Sequence, residues 1–361
     1  MDYSPWYDRP TCASVIVPRG SVALNLMAAT SDFRHDRAFG ALRGLALGDA
    51  LGMPTQSFTR EQIVSRYGEL LPGLISADDD HPYAPGLSAG TVTDDTEQSV
   101  LVAHLLIEGS GRVTPESMAT MLTSWEKSVV ARGLRDLLGP STSAALAEWR
   151  AGVSPSETGR RGVTNGAAMR ITPVGIATSP DENLLVERVV MVSSLTHRTD
   201  VALGAAGFVA GCASALIEGY TWVDAASFAL GVASKCVMRG VPTDDGEVES
   251  RLREALASPP LPVNGKTADL LASRFGVDVR AVASVPTAVA VTTACGGDPW
   301  GALRLSASLG DDTDTMASIA GALLGARWGS HAFPDADTSL VERHNTLDLG
   351  TLASQLLELR R

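Results

Sequence analysis

The stretch GALRGLALGDALG, residues 40–52, sets Gly40, Gly44, Gly48 and Gly52 at intervals of four. In an α-helix, positions i and i+4 lie one turn apart on the same face, so these glycines form one stripe. Glycine costs about 1 kcal/mol per helical position relative to alanine. A helix that keeps a stripe of it has its backbone pressed against another backbone. Gly204, Gly207 and Gly211 make a second stripe, and Gly321, Gly325 and Gly329 a third. Compositional drift towards Gly and Ala would not choose such spacing three times. Most of the chain from Phe39 onward reads as helix broken by short Gly/Pro punctuation. Strand-like alternation is scarce and no βαβ series is present. The expected fold is all-α.

Outward from that stretch, no linker interrupts residues 39–329, and no period of 20–50 residues repeats, which argues against a solenoid. The most polar interior stretch, residues 239–266, reads as a surface excursion whose helix is ended by Pro259, Pro260 and Pro262. Residues 1–36 mix Pro, Arg and Asp with a short apolar run at Val15–Val17. They lack the basic start and apolar core of a signal peptide. We expect a poorly ordered extension over residues 1–36 and one domain over residues 37–361.

The bulk numbers narrow the function. The chain has 361 residues, 45% hydrophobic and 19% charged, which describes a globular protein with a sizeable core. Its formal net charge of −12 argues against a general grip on nucleic acid phosphates. Cys12, Cys212, Cys236 and Cys295 lie far apart with no C-x-x-C pair, which offers neither a zinc framework nor a disulfide scaffold and suits a reducing cytoplasm. Val201–Ile217 and Ala281–Gly297 carry no charge, but Ala, Gly, Ser, Thr and Val dominate both. They read as buried helices and not as membrane spans.

Two acidic motifs stand at expected helix starts. GTVTDDTEQSVLVAHLL (90–106) places Thr93, Asp94 and Asp95 before an apolar helix, and SLGDDTDTMASIAGALLGARWG (308–329) does the same with Asp311, Asp312, Asp314 and Thr315. Helix capping needs one such side chain. Neighbouring carboxylates repel by up to ~4 kcal/mol at about 4 Å for an effective dielectric of about 20. Capping with surface charge and a cation shared between the clusters are both open on these grounds. The donors are all oxygen, which favours Mg²⁺, Mn²⁺ or Ca²⁺. An EF-hand is excluded, because counting from Asp312 puts Met316 and Ala317 where a ligand and a glycine belong.

GDALGMP (48–54), TDDT (93–96), NGAAMRITPVG (165–175), THRTDVALGA (196–205) and GDDTDTMASIAGALLGA (310–326) stand in the order seen in the ADP-ribosylglycohydrolase family, which this chain resembles over roughly residues 39–329. The resemblance implies a compact orthogonal helical bundle with a central cleft holding two Mg²⁺ or Mn²⁺ ions. It also implies hydrolysis of an N- or O-glycosidic bond at the ribose anomeric carbon of an ADP-ribosyl or ribosyl substrate. By position, Thr93, Asp94, Asp95, Asp312, Asp314 and Thr315 would hold the ions, with Asp94, Asp95 and Asp312 as the catalytic carboxylates. Asn165, Gly166 and Arg170 fall where the family forms a loop near the substrate, and His197 matches its Thr-His motif, so these are expected at the substrate. Asp49 is expected to cap or orient the first helix.

The sequence departs from the family pattern in two places. Many members have a glutamate where Gln56 stands, and an amide cannot accept a proton. Gln56 is expected to bind a sugar hydroxyl or a phosphate, which shifts the preference towards small ADP-ribosyl or ribosyl compounds. Asp311 replaces a glycine and is expected to point outward from a turn. A third acidic run, Asp78, Asp79 and Asp80 with His81, has no apolar helix after it and reads as a solvated loop over the cleft. The competing functions are a hydrolase of a small nucleoside or free ADP-ribosyl compound, and a non-catalytic metal-stabilised relative.

Overall fold

The computed structural model describes residues 19–133 and 138–360, with side chains from Ser31 onward. Of the extension expected over residues 1–36, residues 1–18 lie outside the described residues. The expected all-α class is what the chain adopts: it is 66% helix, without a strand among the described residues. Two isolated bridges, Thr164 with Arg280 and Thr199 with Val241, are its only β-type pairings there. The helices that build the site are α1 (Arg19–Gly52), α2 (Asp94–Glu108), α3 (Gly166–Met169), α4 (Asp200–Ile217), α5 (Trp222–Val237), α6 (Ala281–Cys295) and α7 (Thr313–Trp328).

The glycine stripes do what their spacing demands. Gly40, Gly44, Gly48 and Gly52 of α1 face Gly325 and Gly329, Gly321, Ala317 and Asp314 along α7. A Cβ at Gly44 would overlap the carbonyl of Gly321, and one at Gly321 would overlap the carbonyl of Gly44. The second stripe lies against α5. Added Cβ atoms at Gly207 and Gly211 would stand 2.7 Å from Cys236 Sγ and 3.2 Å from Ala229 Cα.

Both uncharged stretches are core helices. In α4, 94% of the 18-residue apolar window is buried inside the protein, and α6 is buried along almost its whole length. One contiguous apolar core runs from Ala38 to Leu356. The polar stretch 239–266 is only partly an excursion. Its helix, Val248–Leu256, buries Val248, Leu252 and Ala255 and stops before Pro259.

Helix starts follow local chemistry in most places. Thr199 caps α4 through Ala202 N–H, and Thr221 caps α5 through Asp224 N–H. The starts of α2 and α7 differ, because Thr93 and Asp312 sit at the cap positions and make no capping hydrogen bond. The acidic residues crowded there are therefore not serving as local caps.

The α1–α7 contact predicts a graded response to one methyl group. Gly44→Ala should lower unfolding stability by about 1–3 kcal/mol, the usual cost of overpacking. Gly297→Ala, where an added Cβ meets nothing within 4 Å, should change it by less than about 0.5 kcal/mol. Urea unfolding of the two variants checks this, and equal midpoints would refute the close-contact account.

Candidate metal centre

The α1–α7 contact sets the C-terminal turn of α1 beside the start of α7. Asp49 lies one position from Gly48 and is fully buried. Its carboxylate accepts Thr93 N–H at 3.0 Å, Thr93 Oγ1 at 2.7 Å, Thr96 N–H at 3.0 Å and Thr96 Oγ1 at 2.5 Å. Asp49 of one helix thus caps the start of another, and the orphan N–H groups of α2 find their partner across the interface.

The same contact brings both acidic motifs together. Oxygens of Asp49, Asp95 and Asp314 lie within 4.8 Å of one another, and all three residues are buried. Thr315 Oγ1 donates to Asp95 Oδ2 at 3.3 Å, and Thr93 Oγ1 lies 3.5 Å from Asp314 Oδ2. Asp94, Asp312, Asp314 and Thr315 line a cleft of about 590 Å³. The six residues expected as ligands therefore converge on one place.

Within this group the lone pairs are unevenly used. Asp95 Oδ1 and Asp314 Oδ1 are buried without a hydrogen-bond partner. Asp49 has its oxygens occupied by four donors. Asp49 thus orients Thr93 and α2, whereas Asp95 and Asp314 keep open oxygens that could hold a cation. Burial without a partner is costly for a carboxylate, and a hard divalent ion satisfies an all-oxygen set of this kind. The donors fit such an ion.

Electrostatics point the same way. Burial pushes the Asp49 carboxyl up to about 6, against its hydrogen bonds from Thr96 and Thr93. Burial also pushes Asp312 up to about 7, opposed by the hydrogen bond from Asn165. Asp94, Asp95 and Asp314 are driven well above the ordinary carboxylate range by burial and by neighbouring carboxylates.

The residues expected at the substrate fall into two groups. Gln56 lines the cleft, is 9% exposed, and has a buried Nε2 without a partner. Asn165 lines it too and donates through Nδ2 to Asp312 Oδ2 and to Ser284 Oγ, the latter at 2.8 Å. Gly166 opens α3 at the same wall, where a Cβ would meet the His197 ring at 2.8 Å. Arg170 and His197 instead lie behind the wall, fully buried. Arg170 donates to Gln98 Oε1 at 2.7 Å and Thr196 Oγ1 at 2.5 Å, and Gln98 donates in turn to Asp94 Oδ2 at 3.4 Å. His197 has one ring nitrogen on Thr164 Oγ1 at 2.9 Å and the other on Thr196 Oγ1 at 2.8 Å. Burial, then the Arg170 charge, hold its pKa well below the usual imidazole value. Asp311 takes a left-handed conformation, φ 55°, and is exposed at the cleft edge. Its backbone is pinned by Ser57 N–H at 2.7 Å and by Phe58 O at 2.8 Å.

Asp49 was legible in sequence only as a helix-orienting residue. Its place one residue from the glycine stripe was the signal that its carboxylate is buried at the α1–α7 contact.

A model of the ADP-ribosylglycohydrolase family matches residues 30–361. The chain belongs to the ADP-ribosylglycohydrolase family. It is 30% identical over 333 residues to protein YegU of Escherichia coli K12, covering 91% of this chain and 98% of that one. It is 31% identical over 175 residues to the ADP-ribosyl-[dinitrogen reductase] glycohydrolase of Rhodospirillum rubrum, covering 45% of this chain and 52% of that protein. It is 26% identical over 310 residues to the ADP-ribosylarginine hydrolase Tri1 of Pseudomonas putida, covering 83% of this chain and 72% of that protein. A solved ADP-ribosylglycohydrolase-related protein complex shares the fold, with a TM-score of 0.62 at 24% identity over 91% of this chain and 99% of that chain. As a member of this metal-dependent family, the chain is a glycosidic-bond hydrolase.

The raised carboxyls carry a stability prediction with a definite sign. A carboxyl whose folded pKa exceeds its unfolded value stabilises the fold in acid, and that contribution is lost as pH rises through the folded pKa. For chelator-treated protein the loss should begin near the ordinary carboxyl value of about 4 and be complete near pH 6 for Asp49 and pH 7 for Asp312. Excess Mg²⁺ or Mn²⁺ should restore stability above pH 7 by mass action. Thermal unfolding from pH 5 to 8, with chelator and with cation, checks this. A melting temperature indifferent to both would count against the centre.

Proposed function

We propose that this chain is a Mg²⁺- or Mn²⁺-dependent hydrolase, using two ions, that cleaves an N- or O-glycosidic bond at the ribose anomeric carbon of an ADP-ribosylated substrate. The observation that carries the reading is the pair of partnerless buried oxygens, Asp95 Oδ1 and Asp314 Oδ1, supplied by two different helix starts at the head of one cleft. Thr93, Asp94, Asp95, Asp312, Asp314 and Thr315 would hold the ions. Bound there, the ions would neutralise the carboxylates and activate water for attack.

The chain's own residues have separable tasks in this reading. Cleavage at the anomeric carbon passes through an oxocarbenium-like state that nearby negative charge stabilises, and Asp94, Asp312 and Asp314 line the cleft to provide it. Gln56 cannot take a proton. Asp94 borders the cleft and accepts one long hydrogen bond, 3.4 Å from Gln98, so its carboxylate is our assignment for the proton acceptor. Asp95 and Asp312 complete the catalytic carboxylates, Asp312 held in orientation by Asn165. Gln56 Nε2, buried and partnerless, donates to a sugar or phosphate oxygen. Cys212, Cys236 and Cys295 are buried free thiols, which supports a reducing, cytoplasmic setting.

A second reading rests on the cleft lining. Among the described residues that line it there is no Lys, Arg or His, so none of these described side chains offers a cation to a diphosphate. Together with Gln56, this favours small ribosyl compounds over ADP-ribosylated protein.

The test is turnover of an ADP-ribosylated peptide and a panel of small ribosides, followed by mass spectrometry. Asp94→Asn should lower kcat about 10²–10⁴-fold, and Asp314→Asn should abolish cation-dependent thermal stabilisation along with activity. Gln56→Glu should raise turnover of ADP-ribosylated peptide relative to small ribosides. Full activity in Asp94→Asn would overturn its role, and an unchanged ratio in Gln56→Glu would remove the second reading.

A further inference from the structure

The loop over residues 75–90 brings Tyr83 to the cleft. The Arg66 guanidinium holds its outer side, with Nη1 2.8 Å from both Asp78 Oδ2 and Asp80 Oδ1 and Nη2 2.9 Å from Asp80 Oδ2. Tyr67 OH donates to Asp78 Oδ2 at 2.7 Å, and the same guanidinium stacks 4.4 Å over the Phe58 ring. On the inner side Met53, Ala77 and Ala84 form a small apolar cluster joined by Leu87. Ala77 N–H closes the loop on Leu87 O at 2.9 Å.

His81 is the staple inside this loop. It is 3% exposed and packs on Phe58 with ring centroids 5.0 Å apart. Its Nδ1 accepts two backbone N–H groups, from Tyr83 at 3.2 Å and Ala84 at 2.9 Å. A ring that accepts twice at Nδ1 is neutral and carries its proton on Nε2. Because one of the two donors is the backbone of Tyr83, His81 fixes where that residue stands.

Tyr83 has an aromatic face and no partner for it. It lines the cleft, is 38% exposed, and its side chain makes no hydrogen bond or ring contact among the described residues. It shares the cleft with Val130 and Val279, themselves exposed, and with Leu138, Pro140 and Met169. The cleft therefore has an acidic floor and a mixed mouth, in which Tyr83, Val130 and Val279 stand with Ser57, Ser143 and Asp311. A ribose suits the floor, whereas one free aromatic face beside exposed apolar side chains suits a planar ring attached to it.

We propose that Tyr83 is a substrate-contacting residue whose phenol face receives a planar heteroaromatic ring of the substrate, with His81 as the residue that positions it. This rests on the ribosyl reading of the cleft. The ring could be the base of a nucleoside, bound directly to the scissile ribose, or the distal base of an ADP-ribosyl group. Both present the same face.

The experiment is calorimetry on the full chain with ADP-ribose, adenosine and ribose 5-phosphate. Tyr83→Ala should weaken the ring-bearing ligands about tenfold, the usual scale of base–aromatic stacking, and leave ribose 5-phosphate unchanged. Tyr83→Phe should bind like wild type. His81→Leu should repeat the loss, and His81→Asn, whose Oδ1 can stand in for Nδ1, should recover the affinity. The Tyr83 pair with His81→Asn keeps the test decisive should His81→Leu not fold. A loss for adenosine as well as ADP-ribose supports the nucleoside base, and a loss for ADP-ribose alone supports the distal base. Wild-type affinity in Tyr83→Ala, or a wild type that binds ribose 5-phosphate as tightly as both ring-bearing ligands, overturns the proposal. Ring-dependent binding without cleavage of any riboside would sink the hydrolytic reading and leave the role of Tyr83 standing.

Discussion

The site depends on how closely α1 and α7 approach. Two helices with ordinary side chains lie about 8–10 Å apart between axes, and here Gly44 and Gly321 leave no room for a Cβ against each other's carbonyl. That contact continues to Gly52, whose missing Cβ leaves room for the backbone of Asp314. A methyl group on either face would wedge the helices apart and carry Asp314 away from Asp49 and Asp95. The stripe is thus as much a part of the candidate metal centre as the carboxylates are.

Crowding charge at that junction has a cost that burial enlarges. Carboxylate oxygens of Asp49, Asp95 and Asp314 lie within 4.8 Å of one another, and at an effective dielectric of about 20 each fully ionised pair repels by ~3–4 kcal/mol. Two mechanisms divide this cost. Asp49 is stabilised by four donors from α2, which settles the helix N-terminus at the same time. Asp95 and Asp314 retain oxygens without any donor, and protonation or a cation is what remains for them. A divalent cation could meet several of these carboxylates at once, which a proton cannot.

The sequence made the helices and the acidic motifs legible because each rests on short spacing. Four-residue glycine intervals and carboxylates crowded into four positions are local statements about a helix face and a helix start. What escaped came from tertiary approach. Asp49 looked like a capping residue of its own helix and instead caps α2. Arg170 and His197 sit in motifs next to Asn165 and Thr196, yet their side chains turn away from the cleft into the core. Nothing in a linear motif separates a side chain that faces substrate from its neighbour that holds the wall up. The acidic run at Asp78–Asp80 read as a solvated loop because its partner, Arg66, belongs to the preceding helix, and only the fold brings the fork to both carboxylates.

Arg170 shows why the centre does not rely on a cation alone. A fully buried guanidinium is expensive, and burial lowers its pKa to about 10, which still leaves it charged at neutral pH. Its Nε has no partner, so hydrogen bonding does not repay the burial in full. Asp94 supplies the remaining compensation, since its negative charge favours the charged guanidinium. The attraction is mutual. It runs through Gln98, whose Oε1 accepts from Arg170 while its Nε2 donates to Asp94, so one amide holds the two charges apart and orients both. A hydrophobic residue at position 170 would leave Asp94 with the Gln98 amide but without this counter-charge. The buried arginine is therefore best understood as a fixed counter-charge that sets the angle of Asp94 in the folded chain.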